Sequence, residues 1–249
     1  MYYSIHKDFI TSSITDILKD FISANRGVGN GIETFPLCDY VMQSVFLKMT
    51  GYQEQKMKCI IWEIATIDFD YRRALLGNDD RLGECSSYSD KNKIYKRLVN
   101  QILKYNPKFD IKKEIDAKGI LNESIDYVKS GFKDTNLSIW AQGSYNDFSK
   151  NIRSLIKFEH VIEKDAKGNT SLFVNVLQDK YEALYNHRNR IAHNTASYQQ
   201  NLPTLQTLAN PNYRYENYFM YFCILVLIDR IFIELYEKYL IEIERNTNL

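Results

Sequence analysis

Apolar residues recur along most of this chain at the three- and four-residue spacing of amphipathic helices. Between residues 2 and 24, apolar and polar residues alternate with helical period through Ile5, Phe9, Ile14, Ile17, Leu18 and Phe21. The same spacing predicts further helices over 37–49, 53–76, 91–104, 111–131 and 145–164. The chain has only four prolines and ten glycines, which is few for a turn-rich β fold. The pattern therefore predicts an all-α protein, a helical bundle.

The segment after residue 164 carries one unusual charge. A turn over 165–169, in which Gly168 can adopt positive φ, is followed by Thr170 or Ser171 as the expected N-cap of the next helix. Its apolar stripe consists of Val174, Leu177, Tyr181, Leu184 and Ile191. Arg188 falls inside this stripe, where a charge is costly. We expect Arg188 either to extend to solvent or to meet a negative group in a cleft or at a subunit interface.

The last helix is predicted over 215–245, after a polar loop at 196–214. It contains an uninterrupted apolar run, 218–228, that ends at Asp229-Arg230. This run is shorter than the roughly 20 apolar residues that cross a bilayer, so we expect a central buried helix, or one shared with a partner subunit, and no membrane span. The sequence does not open with the basic segment followed by an apolar segment that is typical of a secretory signal, so we expect a cytoplasmic location.

Length and charge limit the number of domains and the kinds of functional site. The 249 residues favour one domain, 1–249, with a helical insertion at about 91–131. The net charge is +1, so any nucleic-acid site must be local, and the dense basic segments are 91–97, which also fits a solvated helix face, and 187–190. The acidic residues Glu63, Asp68 and Asp70 lie near two arginines, which favours structural ion pairs over acid/base catalysis.

The four cysteines offer no metal site by their spacing. They include no C-x-x-C pair, and no histidine lies at ligand distance from Cys38, Cys59, Cys85 or Cys223. We therefore expect reduced thiols, no bound metal and no cofactor.

The candidate chemistry lies in residues 185–195, YNHRNRIAHNT. Arg188, Asn189 and His193 provide a guanidinium, an amide and an imidazole, the groups that metal-free phosphodiester chemistry uses. Asn189 and His193 are four residues apart and share a helix side, whereas Arg188 and His193 are about 140° apart around an ideal helix. His187 and Arg190 are either auxiliary RNA contacts or exposed charges that favour the helix C-terminus.

The segment Arg188-Asn189-Arg190-Ile191-Ala192-His193 resembles the R-x4-6-H signature of the HEPN superfamily. Thr195 stands where some members have tyrosine. The resemblance implies a helical bundle whose motif ends one helix and precedes a long one. It also implies a metal-independent endoribonuclease that acts as a homodimer, with a composite active site where the two motif helices meet.

In that family role, His193 transfers protons, Arg188 neutralises charge on the phosphorane, and Asn189 orients either His193 or the phosphate. The implied products are a 2′,3′-cyclic phosphate and a 5′-hydroxyl. The resemblance further implies a toxin or antiviral defence effector, with RNA as substrate and an antitoxin or regulatory partner. Two alternatives remain: a non-catalytic helical module that binds RNA, a nucleotide or a partner protein, and a structural or regulatory subunit.

Overall fold

The computed structural model describes residues 4–29, 31–77, 85–165, 168–193 and 217–247, with the backbone alone for His193 and Thr247. The α-helices in these ranges are α1 (Lys7–Thr11), α2 (Thr15–Asn25), α3 (Phe35–Ile67), α4 (Phe69–Leu76), α5 (Tyr88–Tyr105), α6 (Ile111–Glu114), α7 (Ala117–Phe132), α8 (Asn136–Trp140), α9 (Gln142–Leu155), α10 (Asn175–His193) and α11 (Tyr218–Thr247). The strands are β1 (Val161–Lys164) and β2 (Thr170–Phe173). The prediction of an all-α fold is confirmed.

Helix α11 lies at the centre of the bundle. Every residue from Phe219 to Ile228 is buried, as the continuous apolar run predicts. The helix packs against α7, α5, α3 and α9, and the buried apolar residues form one contiguous core. Among the described residues, no helix is both long enough and apolar enough to cross a membrane.

The prediction of one continuous helix over residues 2–24 is wrong, because the chain forms two helices, α1 and α2, with a break at residues 12–14. The backbone groups at the break are bound by side chains from other helices. Asp229 of α11 accepts a hydrogen bond from the Ile14 amide at 2.8 Å, and the Lys56 ammonium donates to the Ser12 carbonyl. Lys56 and Asp229 also pair with each other at 2.6 Å, with each side chain only 1% exposed.

The predicted break near residue 50 is also wrong, because α3 runs unbroken through Gly51 for 33 residues. Its buried side chains continue on both sides of the glycine, and this packing outweighs the roughly 1 kcal/mol that glycine costs inside a helix. The break falls instead at Asp68, whose carboxylate caps α4 by accepting from the Tyr71 amide at 3.0 Å.

Asp68 confirms the expectation of structural ion pairing. It binds the Lys104 ammonium and accepts a hydrogen bond from Gln101 at 2.6 Å, both from α5. Burial alone would raise the pKa of Asp68, but these donors and the Tyr71 amide together lower it to about 2. Glu63 is also held by a structural contact, because its Oε1 accepts a hydrogen bond from the His6 backbone amide at 3.1 Å and lies 2.8 Å from the ring Nδ1 of the same residue.

The helix predicted over 145–164 ends early, at Leu155, and residues 161–164 form β1. This strand pairs antiparallel with β2, with Val161 opposite Phe173, and the turn between them places Gly168 at a φ of 86° as predicted. Thr170 and Ser171 therefore lie in a strand rather than at an N-cap. Side chains of α5 bind β2, since Asn92 accepts from the Leu172 amide at 2.9 Å.

The segment predicted as a helical insertion contributes to the core. Its helices α5 and α7 both pack against α11, and α5 ends at Tyr105, one residue beyond the helix predicted over 91–104. The basic stretch at its start is not entirely a solvated face, because Lys91 is only 2% exposed.

Candidate functional site

The predicted motif lies at the C-terminal end of α10, as its sequence position requires. The stripe residues Leu177, Tyr181, Leu184 and Ile191 are buried, and they hold α10 against α3, α5 and α11. Because Arg188 shares this stripe, its side chain is directed toward α3 rather than out to solvent.

Arg188 meets a negative group within its own chain. Its Nη2 lies 2.9 Å from Oε1 of Glu54 on α3, and its Nη1 donates to Oδ1 of Asn189 at 3.1 Å. The side chain of Arg188 is 23% exposed and that of Glu54 is 10% exposed. The guanidinium is thus fixed in orientation by two acceptors while one side remains accessible to solvent.

A second cation lies behind this ion pair. Lys91 of α5 shares a small cavity of about 10 Å³ with Glu54 and Arg188, and its ammonium donates to the Cys85 carbonyl at 3.1 Å. Burial lowers the pKa of Lys91 to about 8, and the opposing influence of Glu54 does not restore its usual value. Tyr181 closes the cavity by donating to the Ser86 carbonyl at 2.6 Å.

Glu54 and Lys91 were not among the predicted site residues, although both carry the same signal as Arg188. Lys91 precedes Ile94 by three residues and Leu98 by seven, so it belongs to the apolar stripe of α5. Glu54 stands three residues before Met57 in the same way. A charge in register with an apolar stripe therefore identifies all three members of this buried cluster.

His187 is buried, so the interpretation as an exposed helix-end charge is wrong. Its ring packs against Phe46 and Tyr221, with centroid distances of 5.5 Å to each. Its Nδ1 lies 3.3 Å from Nη2 of Arg190, and its Nε2 lies 2.9 Å from the Tyr218 hydroxyl. Because arginine only donates, Nδ1 accepts and the proton on Nε2 is donated to Tyr218. His187 therefore orients Arg190.

Arg190 lines a cavity of about 300 Å³ beside the end of α10. The α3 wall of this cavity carries Asp39 and Gln43, and Trp140 at the end of α8 contributes an indole. The side chains of Asp39 and Gln43 are joined by a hydrogen bond of 2.8 Å. The cavity thus combines a guanidinium, a carboxylate, an amide and an aromatic ring.

The remaining predicted site residues are only partly described. Asn189 is half-buried and contacts Arg188, whereas the side chain of His193 lies outside the described residues, as does the loop predicted over 196–214. The contact between Asn189 and His193 therefore stays a prediction. Along the helix, Arg188 and His193 are separated by a rise of about 7.5 Å and a rotation of about 140°.

The described ranges contain no group of three or more histidine, cysteine, aspartate or glutamate side chains able to hold a metal ion. All four cysteines are free thiols, and burial raises the pKa of Cys223 to about 12. Comparison of the chain with protein-family models, with curated proteins and with solved structures finds no match.

Proposed function

We propose that this protein is a metal-independent endoribonuclease of the HEPN type. The observation that supports this most directly is Arg188, at the end of α10, held by Glu54 and Asn189 and still accessible to a ligand. A guanidinium with a fixed orientation stabilises a phosphorane without reorganising during the reaction, which is the main requirement of electrostatic catalysis. The R-N-x-x-A-H sequence then supplies the imidazole of His193 on the same terminal helical turns.

The proposed reaction is an internal transesterification. The ribose 2′-oxygen forms a bond to phosphorus as its proton leaves, and the bond from phosphorus to the 5′-oxygen breaks as that oxygen gains a proton. His193 serves as one of the two proton-transfer groups, and Arg188 neutralises the charge that develops on the phosphoryl oxygens. The products are a 2′,3′-cyclic phosphate and a 5′-hydroxyl.

The helical geometry favours a site composed of two chains. Since Arg188 and His193 face directions about 140° apart on one helix, one α10 does not direct both at the same phosphate without unwinding. Two antiparallel copies of α10 in a homodimer would set Arg188 of one copy beside His193 of the other. We propose this composite arrangement for RNA cleavage.

The first test is incubation of the purified protein with a single-stranded RNA oligonucleotide in EDTA. We expect cleavage that leaves cyclic-phosphate ends and is lost in Arg188→Ala and His193→Ala. Arg245→Ala is the matched control, because it removes an arginine whose side chain is 68% exposed near the end of α11. Cleavage that requires a divalent metal and leaves 5′-phosphate ends would reject the mechanism.

One observation favours the second candidate, a non-catalytic module that binds RNA, a nucleotide or a protein. The charge of Arg188 is already partly neutralised by Glu54, which weakens its attraction for a phosphate. In this case the same assay gives retained RNA binding by wild-type protein without any cleavage.

The proposed biological role is that of a cytoplasmic toxin or antiviral effector controlled by an antitoxin or regulatory partner. Expression of the wild type should then arrest growth, and expression of His193→Ala at the same level should not. Equal tolerance of both proteins would argue against a free-standing toxin.

A further inference from the structure

The cavity beside Arg190 has the size of a site for a single nucleotide. Its volume of about 300 Å³ is at the lower end of the range of about 300–1,000 Å³ that small-molecule sites occupy. The cavity is bounded by five helices, α3, α8, α9, α10 and α11, so its walls belong to the rigid bundle. It also adjoins the terminal turns of the motif helix through His187, Arg190 and Ile191.

We propose that this cavity binds one purine base of the RNA, with guanine preferred to adenine. The inference rests on the proposed RNA-directed function, but it does not depend on whether the RNA is cleaved. Single-stranded RNA is read in proteins by stacking unpaired bases on aromatic or guanidinium planes and by hydrogen bonds to their Watson–Crick edges. The cavity contains both kinds of group.

The polar wall favours guanine. Asp39 lies at the exposed rim of α3, and one of its carboxylate oxygens accepts from Gln43 at 2.8 Å. A carboxylate has about four acceptor positions, so Asp39 can also accept from the adjacent N1–H and N2–H of guanine. Adenine presents an acceptor, N1, where guanine presents a donor, and would therefore face the carboxylate unfavourably. Gln43 has a second amide hydrogen suited to the guanine O6.

The apolar wall and Arg190 complete the site. Trp140 is half-buried and provides a flat ring for stacking, an interaction that tolerates any base but strengthens binding. Arg190 is oriented by its contact with the buried His187, and its guanidinium is placed for the phosphate of the same nucleotide. Base recognition is thereby located beside the proposed scissile site.

Tryptophan fluorescence offers a direct test because the chain has only two tryptophans, Trp62 and Trp140. Trp62 is 62% exposed, so Trp62→Phe leaves Trp140 as the only indole with little expected effect on folding. We expect saturable quenching when this variant is titrated with GMP, with affinity about tenfold or more above that for AMP or CMP. Asp39→Asn in the same background should abolish the preference for GMP, and the matched exposed variant Asp20→Asn should retain it.

Two further measurements separate this inference from the proposed catalysis. GMP binding and RNA cleavage are measured in parallel on the same wild-type protein, and saturable GMP binding without any cleavage would reject the catalysis while supporting this inference. Trp140→Ala, measured by calorimetry, should weaken GMP binding about tenfold through loss of stacking. Absence of quenching by every nucleotide, or equal affinity for GMP, AMP and inorganic phosphate, would overturn the proposal even if the RNA is cleaved.

Discussion

The buried pair between Lys56 of α3 and Asp229 of α11 binds the backbone at the break between α1 and α2, and Asp229→Asn should destabilise the whole fold. In the native protein the two Asp229 oxygens accept from Lys56 at 2.6 Å and from the Ile14 amide at 2.8 Å. Asparagine has the same shape, but it is neutral and has only one acceptor oxygen. If that oxygen stays on Ile14, the new amide group faces the Lys56 ammonium, so two donors oppose each other.

The magnitude follows from the burial of both groups. Each side chain is 1% exposed, so solvent cannot replace the lost partner. Removing one member of such a pair costs about 3–5 kcal/mol, which is a large part of the roughly 5–15 kcal/mol that stabilises a typical domain. The double variant Lys56→Met/Asp229→Leu leaves no buried charge but deprives the Ile14 amide and the Ser12 carbonyl of partners. Its cost should therefore be clearly above zero yet below the sum of the costs of the single variants Lys56→Met and Asp229→Leu.

The assay is urea unfolding followed by circular dichroism, with all variants measured at the same pH. Glu114→Gln is the matched control. Glu114 of α6 pairs at 2.8 Å with Lys238, which lies on α11 like Asp229, but the Glu114 side chain is 49% exposed. This control should leave the free energy of unfolding nearly unchanged, because an exposed ion pair is screened by solvent. A loss below about 1 kcal/mol for Asp229→Asn, or single-variant costs that add fully in the double variant, would refute the reasoning.

Three further predictions concern the other charged clusters. Glu54→Gln leaves Arg188 and Lys91 without their shared carboxylate, so we expect a loss of about 2 kcal/mol in unfolding free energy and weaker RNA cleavage; unchanged stability and cleavage would contradict the positioning role. The pKa of Asp68 is lowered to about 2, so the stability that its carboxylate contributes is present above its usual pKa and is lost as pH falls from about 4 to 2. Asp68→Asn should reduce this acid-induced loss of unfolding free energy by about 1 kcal/mol, a modest amount because solvent screens the half-exposed Lys104. The pKa of Lys91 is lowered to about 8, so between pH 8 and 9 the unfolded chain binds its proton more tightly than the folded protein does, and the free energy of unfolding rises by about 1 kcal/mol. Lys91→Met should remove that rise, and a pH profile of stability identical to that of the wild type would refute the prediction.

Local pattern was sufficient for the helices that bury a regular stripe. Helix α10 buries its predicted stripe residues Leu177, Tyr181, Leu184 and Ile191, and α11 is buried on all sides from Phe219 to Ile228. These predictions succeed because the periodicity of apolar residues directly records which side of a helix leaves water. The approximate position of the candidate site was predictable for the same reason, since Arg188 is a charge placed within such a stripe.

The helix breaks were decided by tertiary contacts instead. Gly51 does not interrupt α3, whereas Ser12–Ile14 does interrupt the first helix, because Asp229 and Lys56 bind backbone groups that a continuous helix would use itself. These side chains lie 44 and 215 residues away along the chain from the backbone groups that they bind. No local window contains that information.

The contacts between the site residues were likewise decided by tertiary packing. Local spacing was enough to predict that the protein is helical, that its last helix is central, and that a basic motif lies at the end of the helix before it. Helix packing was needed to show that Glu54 holds Arg188, that His187 is buried, and that Asp39 and Trp140 share a cavity with Arg190. Those pairings join residues remote in sequence, and they depend on how the helices pack rather than on the propensity of any one of them.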